Sequence, residues 1–483
     1  MKKRIALFLS MALILSLAAC GGGNTSSPDS MNGTESSGVE NIRTESSQAE
    51  GKISGSGKKE NAQEAAKPAE TAPAETGGSV SEETISRDNG EDPVKALEMQ
   101  YAGLTEDALT WDYNSSTGTI VISGEGPMRD YLDEAPAWDQ YAAEAKSVVI
   151  GDEVTSVGAG AFLWFSELQE VELGESVAFI GDAAFSNCSC LRTVNFPEKL
   201  KYAGAGAFNN DLLHSDQGFV FPEGMLYLAE DSFRSAFKES YVSIPASLVW
   251  IGKGAFANCF VEEFRVASEN PSYASDNGCL FDKQMTTLIN YPAEHSAVLY
   301  EIPEGVTTIL KDAIAVTSSL EKIVIPASVT AIEESSIYWN YGLSTIEVNE
   351  NSKNYTSDGG VLYTADGKLL LSYPLASDRT EYTVMEGCER FGTFSLSQAM
   401  GLTKLHAGDS LREIGDSALY FTSALSEIGL PKSLQKIDDS AFAFCDALTR
   451  VDFSGSSEDW SGIEIGEKNE CLTDGSVEIH CAE

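Results

Sequence analysis

Three columns of apolar residues recur in lockstep along this chain of 483 residues. The largest holds Phe162, Phe185, Phe208, Phe233, Phe256, Ile314, Ile337, Leu396, Leu419 and Phe442. Five residues before each lies a second apolar position: Val157, Ile180, Ala203, Leu228, Ile251, Ile309, Ile332, Phe391, Ile414 and Ile437. Three before that lies a third: Val154, Val177, Leu200, Met225, Leu248, Val306, Val329, Cys388, Leu411 and Leu434. Most steps are 23 residues, one is 25, and two are 58 and 59. A unit this short cannot bury its apolar side alone. Units must stack and share a continuous core, which restricts the fold to a repeat array.

Many units continue with a strand-like segment, as in Leu168-x-x-Val171-x-Leu173, Leu320-x-x-Ile323-x-Ile325 and Leu448-x-x-Val451-x-Phe453. Pro often follows (Pro197, Pro222, Pro245, Pro303, Pro326, Pro431) and ends the strand, because it has no N–H for a ladder. The period and the L-x-x-L-x-L core resemble those of leucine-rich repeats. The two long steps contain inserts that match each other at a spacing of 82: Tyr273 with Tyr355, Asp276 with Asp358, Gly278 with Gly360, Tyr291 with Tyr373. Asp366-Gly367 between two apolar runs is a hairpin signal. The expected fold class is a repeat solenoid, mainly β with short helical or irregular segments. It is a right-handed leucine-rich-repeat superhelix with two β-hairpin inserts.

Val177 to Phe185 with Cys188 resembles the V-x-x-I-G-x-x-A-F-x-x-C repeat of BspA-type leucine-rich-repeat bacterial surface lipoproteins. Leu109-Thr110-Trp111, Thr119 to Gly124, Gly126-Pro127-Met128 and Trp138 are similar to that family's N-terminal capping segment. Gly455, Trp460, Ile463, Ile465-Gly466 and Asn469 are similar to its C-terminal cap. The likeness covers about residues 104–483. It departs at Ile314, Ile337, Leu396 and Leu419, where the aromatic is lost and looser packing is expected. The resemblance implies binding or adhesion to host matrix proteins or to neighbouring cells.

The N-terminus reads as an export signal: Lys2, Lys3 and Arg4, then a short apolar run from Ile5 to Leu15. Leu17-Ala18-Ala19-Cys20 resembles a bacterial lipobox, which implies a diacylglycerol on Cys20 and cleavage before it. Residues 21–95 lack Phe, Trp and Tyr and are rich in Ser, Gly, Glu, Thr and Ala, a composition that stays disordered. The expected organisation is a signal peptide at 1–19, a lipid-anchored linker at 20–95 and an N-terminal β capping segment at 96–144. A solenoid follows at 145–453, with inserts near 268–298 and 350–380, then a C-terminal cap at 454–483. The expected location is the extracellular face of the envelope, with membrane contact through the lipid anchor only.

Lys plus Arg number 32 against 74 Asp plus Glu, a formal charge of −42. Nucleic-acid binding needs clustered positive charge and is disfavoured. Cys188, Cys259 and Cys445 each follow the large column by three residues, and this regular use reads as packing rather than ligation. Cys471 and Cys481 lie outside the columns and leave an extracytoplasmic disulfide open. His214, His295, His406 and His480 form no H-E-x-x-H or hydrolase context. No cofactor, metal set or catalytic constellation is expected, although a hydrolase using Asp276 or Asp358 of the inserts is the one enzymatic alternative.

Function then falls to the surface. Residues between the apolar strand positions point outward, and stacking aligns them into rows. The candidate binding surface is Glu170, Glu172, Thr193, Asn195, Glu263, Arg265, Lys322, Thr345, Glu347, Lys404, His406, Glu427, Arg450 and Asp452. It is expected to meet host or neighbouring-cell surface proteins or matrix. The alternative is a passive envelope scaffold or spacer without a specific ligand.

Overall fold

A computed structural model describes residues 93–215 and 218–482. Cys20 and the expected signal peptide lie outside the described residues, as does the expected linker up to residue 92. The architecture is the expected β-solenoid, with about 13 turns and very little helix. Each ordinary turn has one longer strand on a first face, a bend, a two-residue strand on a second face, and a hydrogen-bonded turn on a third. Successive strands pair in parallel, for example Glu170 with Thr193 and Phe179 with Tyr202.

The column residues point inward and are buried, apart from half-buried Ile332. Phe162, Phe185, Phe208 and Phe233 stack with ring centroids 5.0–5.3 Å apart. That spacing is close to the strand-to-strand distance of about 4.8 Å, so one phenyl per turn forms a continuous ring stack. Trp138 closes its N-terminal end, 5.7 Å from Phe162, and donates its indole N–H to the Ala161 carbonyl at 2.8 Å. Ile314, Ile337, Leu396 and Leu419 are at most 3% exposed, so losing the aromatic does not open the core to solvent. Aromatic side chains gather instead on the third face, where Tyr338, Trp339, Phe394 and Tyr420 contact one another.

The third-face turns obey a rule that the columns do not reveal. Residues two before and two after each column position take positive φ: Gly160 and Trp164, Ala183 and Asn187, Asp312 and Val316, Phe394 and Gln398. Gly160 adopts this at no steric cost; Trp164 and Val316 do so against their intrinsic preference. The glycine four before the column answers a different need. A Cβ on Gly181 would lie 2.5 Å from the Ala159 nitrogen, and one on Gly204 would lie 2.5 Å from the Gly181 carbonyl carbon.

Each insert is a hairpin extended to three antiparallel strands: Tyr273–Asp276, Cys279–Asp282 and Thr287–Asn290, then Tyr355–Asp358, Val361–Thr364 and Leu369–Ser372. The turn at Asp366-Gly367 lies where the sequence places it. The central strands correct the expectation of one continuous core. Leu280 packs into the N-terminal core while Cys279 and Phe281 pack into the next. Leu362 then faces that middle core while Val361 and Tyr363 face the C-terminal one. Alternating side chains thus make each central strand a wall between two core compartments.

The ends are closed by further elements. Thr110–Asn114 pairs antiparallel with Thr119–Ser123, which pairs parallel with Ser147–Ile150. A helix, Pro93–Tyr101, straddles the boundary drawn at residue 95 and lays Tyr101 on Phe179 at 5.4 Å. At the other end, Glu464–Ile465 and Glu478–Cys481 add one strand to each face.

Candidate recognition surface

The first face is divided into four sheets: two of the three breaks fall at the inserts, and the other lies between Thr193–Val194 and Phe219–Val220. The candidate residues are therefore divided among separate sheets instead of forming one row. Glu170, Glu172 and Thr193 lie on the N-terminal sheet and are exposed. Asn195 is occupied structurally: its Oδ1 accepts from the Leu173 N–H at 2.6 Å and its Nδ2 donates to the Leu173 carbonyl at 2.9 Å. The second sheet carries Glu263 and Arg265, the third Lys322, Thr345 and Glu347. The last carries Lys404, His406, Glu427, Arg450 and Asp452.

Most of these charges neutralise one another. Arg265 pairs with Glu263 and lies 3.7 Å over the Tyr241 ring. Lys322 reaches Glu347 at 2.6 Å, Lys404 reaches Glu427 at 3.2 Å, and Arg450 reaches Asp452 at 2.7 Å. On the last sheet, register aligns Glu381, Lys404, Glu427, Arg450 and Glu478, a row of alternating sign. Opposite charges on neighbouring strands stabilise the sheet by a few tenths to about 1 kcal/mol per pair. Glu170 and Glu172 have no ion pair among the described residues.

Beside the first insert a cleft of about 240 Å³ opens between the hairpin tip and strand Leu299–Glu301. Asp276, Asn277, Phe281, Tyr300 and Glu301 line it. Asp276 and Asp358 occupy equivalent corners of separate inserts. Among the described residues no group of three or more His, Cys, Asp or Glu side chains is placed to hold a metal ion. No helix among them is long and apolar enough to cross a membrane.

The third face is stitched across the inserts by side chains far apart in sequence. Arg234 pairs with Asp312 at 2.9 Å, the Tyr338 hydroxyl lies within hydrogen-bond reach of both Asn258, at 3.0 Å, and Asp312, at 2.7 Å, and Lys253 reaches Glu333 at 2.8 Å. Burial opposes ionisation of Asp312, but the Arg234 guanidinium outweighs it and holds the carboxyl below its ordinary value. At the second insert Arg390 bridges Glu334 and Glu413, and Glu334 also accepts from the Thr393 N–H at 3.0 Å.

The regular cysteines are hydrogen-bond donors as well as packing groups. Cys188, Cys259 and Cys445 donate to the column carbonyls of the preceding turn: Phe162 at 3.2 Å, Phe233 at 3.0 Å and Leu419 at 3.2 Å. Thr422 and Asn340 do the same for Leu396 and Ile314, at 3.1 and 3.0 Å. Their shared position three after the column was the available signal, since Cys, Thr and Asn have a donor in common rather than apolarity. Cys471 and Cys481 are free thiols.

A family profile described as a BspA type leucine rich repeat region matches residues 140–262, 211–286, 293–358 and 376–463, in six copies. Among solved structures, a leucine rich cell surface protein from Faecalibacterium prausnitzii A2-165 is 22% identical, with 74% of this chain and 97% of that one covered at a TM-score of 0.45. A leucine-rich repeat protein from Eubacterium ventriosum ATCC 27560 is 21% identical, with 77% and 94% covered at 0.48. One from Bacteroides ovatus ATCC 8483 is 18% identical, with 79% and 100% covered at 0.32. No curated protein matches the chain. With its columns, its turn geometry and more than half its length matched by that profile, the chain belongs to the BspA-type leucine-rich-repeat family.

Proposed function

We propose that this chain is a lipid-anchored protein of the bacterial cell surface, held through Cys20, whose solenoid presents its first face to host, matrix or neighbouring-cell proteins. The observation that carries this is the N-terminal sheet. Glu170, Glu172 and Thr193 stand exposed on strands locked one turn apart, and neither carboxylate is held in an ion pair among the described residues. Parallel strands hold such groups about 4.8 Å apart on a rigid backbone, so a basic polypeptide can engage several without ordering the surface first. The chain's charge of −42 favours basic partners and opposes nucleic acid. The Lys2-to-Cys20 pattern supports the anchor.

Two measurements test it. Cys20→Ala is expected to move the protein from the membrane fraction to the medium; retention in the membrane refutes the anchor. Glu170→Lys with Glu172→Lys is expected to lower binding of the mature chain to cells and matrix proteins about tenfold or more, as for a lost charged hot spot. Binding unchanged by that reversal refutes the surface. A passive spacer is the competing function, favoured by the self-neutralised row from Glu381 to Glu478. It predicts no binding to any of these partners.

A further inference from the structure

The two inserts are internal copies offset by 82 residues, and they differ in one telling way. In the second, Arg379 folds back toward the hairpin tip. Its Nη2 donates to the Gly359 carbonyl, and its guanidinium carbon lies 5.6 Å over the Tyr382 ring. The equivalents of Gly359 and Tyr382 in the first insert are Asn277 and Tyr300, and the equivalent of Arg379 is Ala297. Asn277 and Tyr300 line the open cleft of about 240 Å³. The cation that the second insert supplies from its own chain is missing from the first.

What surrounds the cleft suits a cation rich in donors. Asp276 and Glu301 bring two carboxylates, the Asn277 backbone brings an acceptor, and the Tyr300 ring brings a π face. Asp276 matches Asp358, but Glu301 replaces Thr383, so the open cleft is the more acidic of the two at that corner. Tyr300 is 5% exposed, and its hydroxyl lies against the Cys279 thiol rather than a second tyrosine. In the second insert Tyr382 pairs with the Tyr363 hydroxyl, which Phe281 cannot replace. We propose that the cleft beside the first insert receives the guanidinium group of an arginine on a partner polypeptide, in the place that Arg379 fills within the chain at the second insert. A free amino acid would bring its own carboxylate to a protein of charge −42, whereas an in-chain arginine brings none. This inference goes beyond the strand-row surface: Glu301 stands in register with Val324 and Glu347, but the site is the cleft at the hairpin tip, and its test does not read Glu170 or Glu172.

The test is titration of the full mature chain with N-acetyl-arginine amide, N-acetyl-lysine amide and free arginine, followed by ligand-observed NMR. The expected result is saturable binding of the blocked arginine, weaker binding of free arginine, and weaker still of the lysine probe, which lacks the planar fork. Asp276→Asn and Glu301→Gln should each weaken it about tenfold, the usual effect of losing a charge-assisted hydrogen bond. Ala297→Arg should abolish it by filling the cleft. Arg379→Ala, which needs no new side chain to fit, should add a second site. No saturable binding, equal binding of the lysine probe, or binding untouched by Ala297→Arg overturns the proposal. Equal binding of free arginine overturns its assignment to a polypeptide.

Discussion

Replacing Cys188 by Thr and, separately, by Val separates hydrogen bonding from packing. Cys188 is fully buried, and its Sγ donates to the Phe162 carbonyl at 3.2 Å. Burial pushes the thiol well above its ordinary pKa, so it stays protonated and able to donate. Among the described residues no backbone N–H reaches that carbonyl. Thr and Val have nearly the same shape, so the steric cost of the added atom cancels between them. Val leaves the carbonyl without its partner, which costs about 1–3 kcal/mol, whereas Thr restores a donor. Thr422 shows that a hydroxyl serves at this position, at 3.1 Å from the Leu396 carbonyl. The Thr variant is therefore expected to be the more stable by about 1–3 kcal/mol. Repeat arrays open locally, so native-state hydrogen exchange around Phe185 is a sharper readout than a single global melt. If packing alone set this position, Val would win, because a buried hydroxyl without a partner is penalised. A Val variant equal to or more stable than Thr refutes the hydrogen-bond role.

Asp211 stands at the same position one turn later. It is fully buried, its Oδ1 accepts from the Cys188 N–H at 3.0 Å, and its Oδ2 lacks a partner. Burial pushes its carboxyl well up, so the folded state favours the protonated acid. That contribution is complete below the unfolded value near 4 and is lost as pH rises toward the folded value. Asp211→Asn, which copies Asn340, should be more stable than wild type at pH 7, with the gap closing near pH 4 in thermal melts. A less stable variant at pH 7 counts against this. For Glu334, burial raises the pKa, but the hydrogen bonds from Arg390 and Thr393 outweigh it and hold the carboxyl below its ordinary value. Its contribution is present above the unfolded value near 4.3 and is lost as pH falls through the folded value. Wild type should lose stability there more steeply than Glu334→Gln, and parallel acid melts would contradict the assignment. Gly204→Ala should cost about 1–3 kcal/mol by overpacking, because its Cβ meets Gly181 backbone rather than a flexible side chain. An unchanged melting temperature would show that the turns can separate locally.

The columns made the inside of this molecule legible, because a residue needed once per turn repeats at the period of the turn. Phe162 to Phe233 stack as their spacing requires, and the 82-residue match located both inserts. Other features do not follow that period. The helix Pro93–Tyr101 docks through Leu97 and Tyr101, too few apolar anchors to stand out from a polar segment. The positive-φ pairs had a partial signal in Gly160, Gly206 and Gly254 before the column and Asn187, Asn210 and Asn258 after it. Trp164, Val316 and Phe421 hide that signal by taking the same conformation with unfavourable side chains. Outward rows were legible as positions but not as chemistry. Whether Lys322 reaches Glu347, or Asn195 turns back to Leu173, depends on rotamers and strand ends rather than on the period.

The inserts link the core to the surface. A strand that walls off a core compartment must cross the stack antiparallel to its neighbours, and its tip then emerges beside the first face. The Phe264 N–H donates to the Gly278 carbonyl and the Ile346 N–H to the Gly360 carbonyl, so each tip is tied to the last strand of the sheet before it. On the other side the tip meets the next sheet without a ladder, which produces the cleft at Leu299–Glu301. An interruption thus offers a second kind of site beside the strand rows. The C-terminal sheet alternates its charge from strand to strand, from Glu381 to Glu478, while a seam leaves carboxylates such as Asp276 and Glu301 facing an opening, as Glu170 and Glu172 are left exposed on the N-terminal sheet. Ala297 and Arg379 illustrate the consequence: on equivalent strands and hairpins, Arg379 reaches back to the Gly359 carbonyl at the second seam, and Ala297 leaves the first seam without that guanidinium.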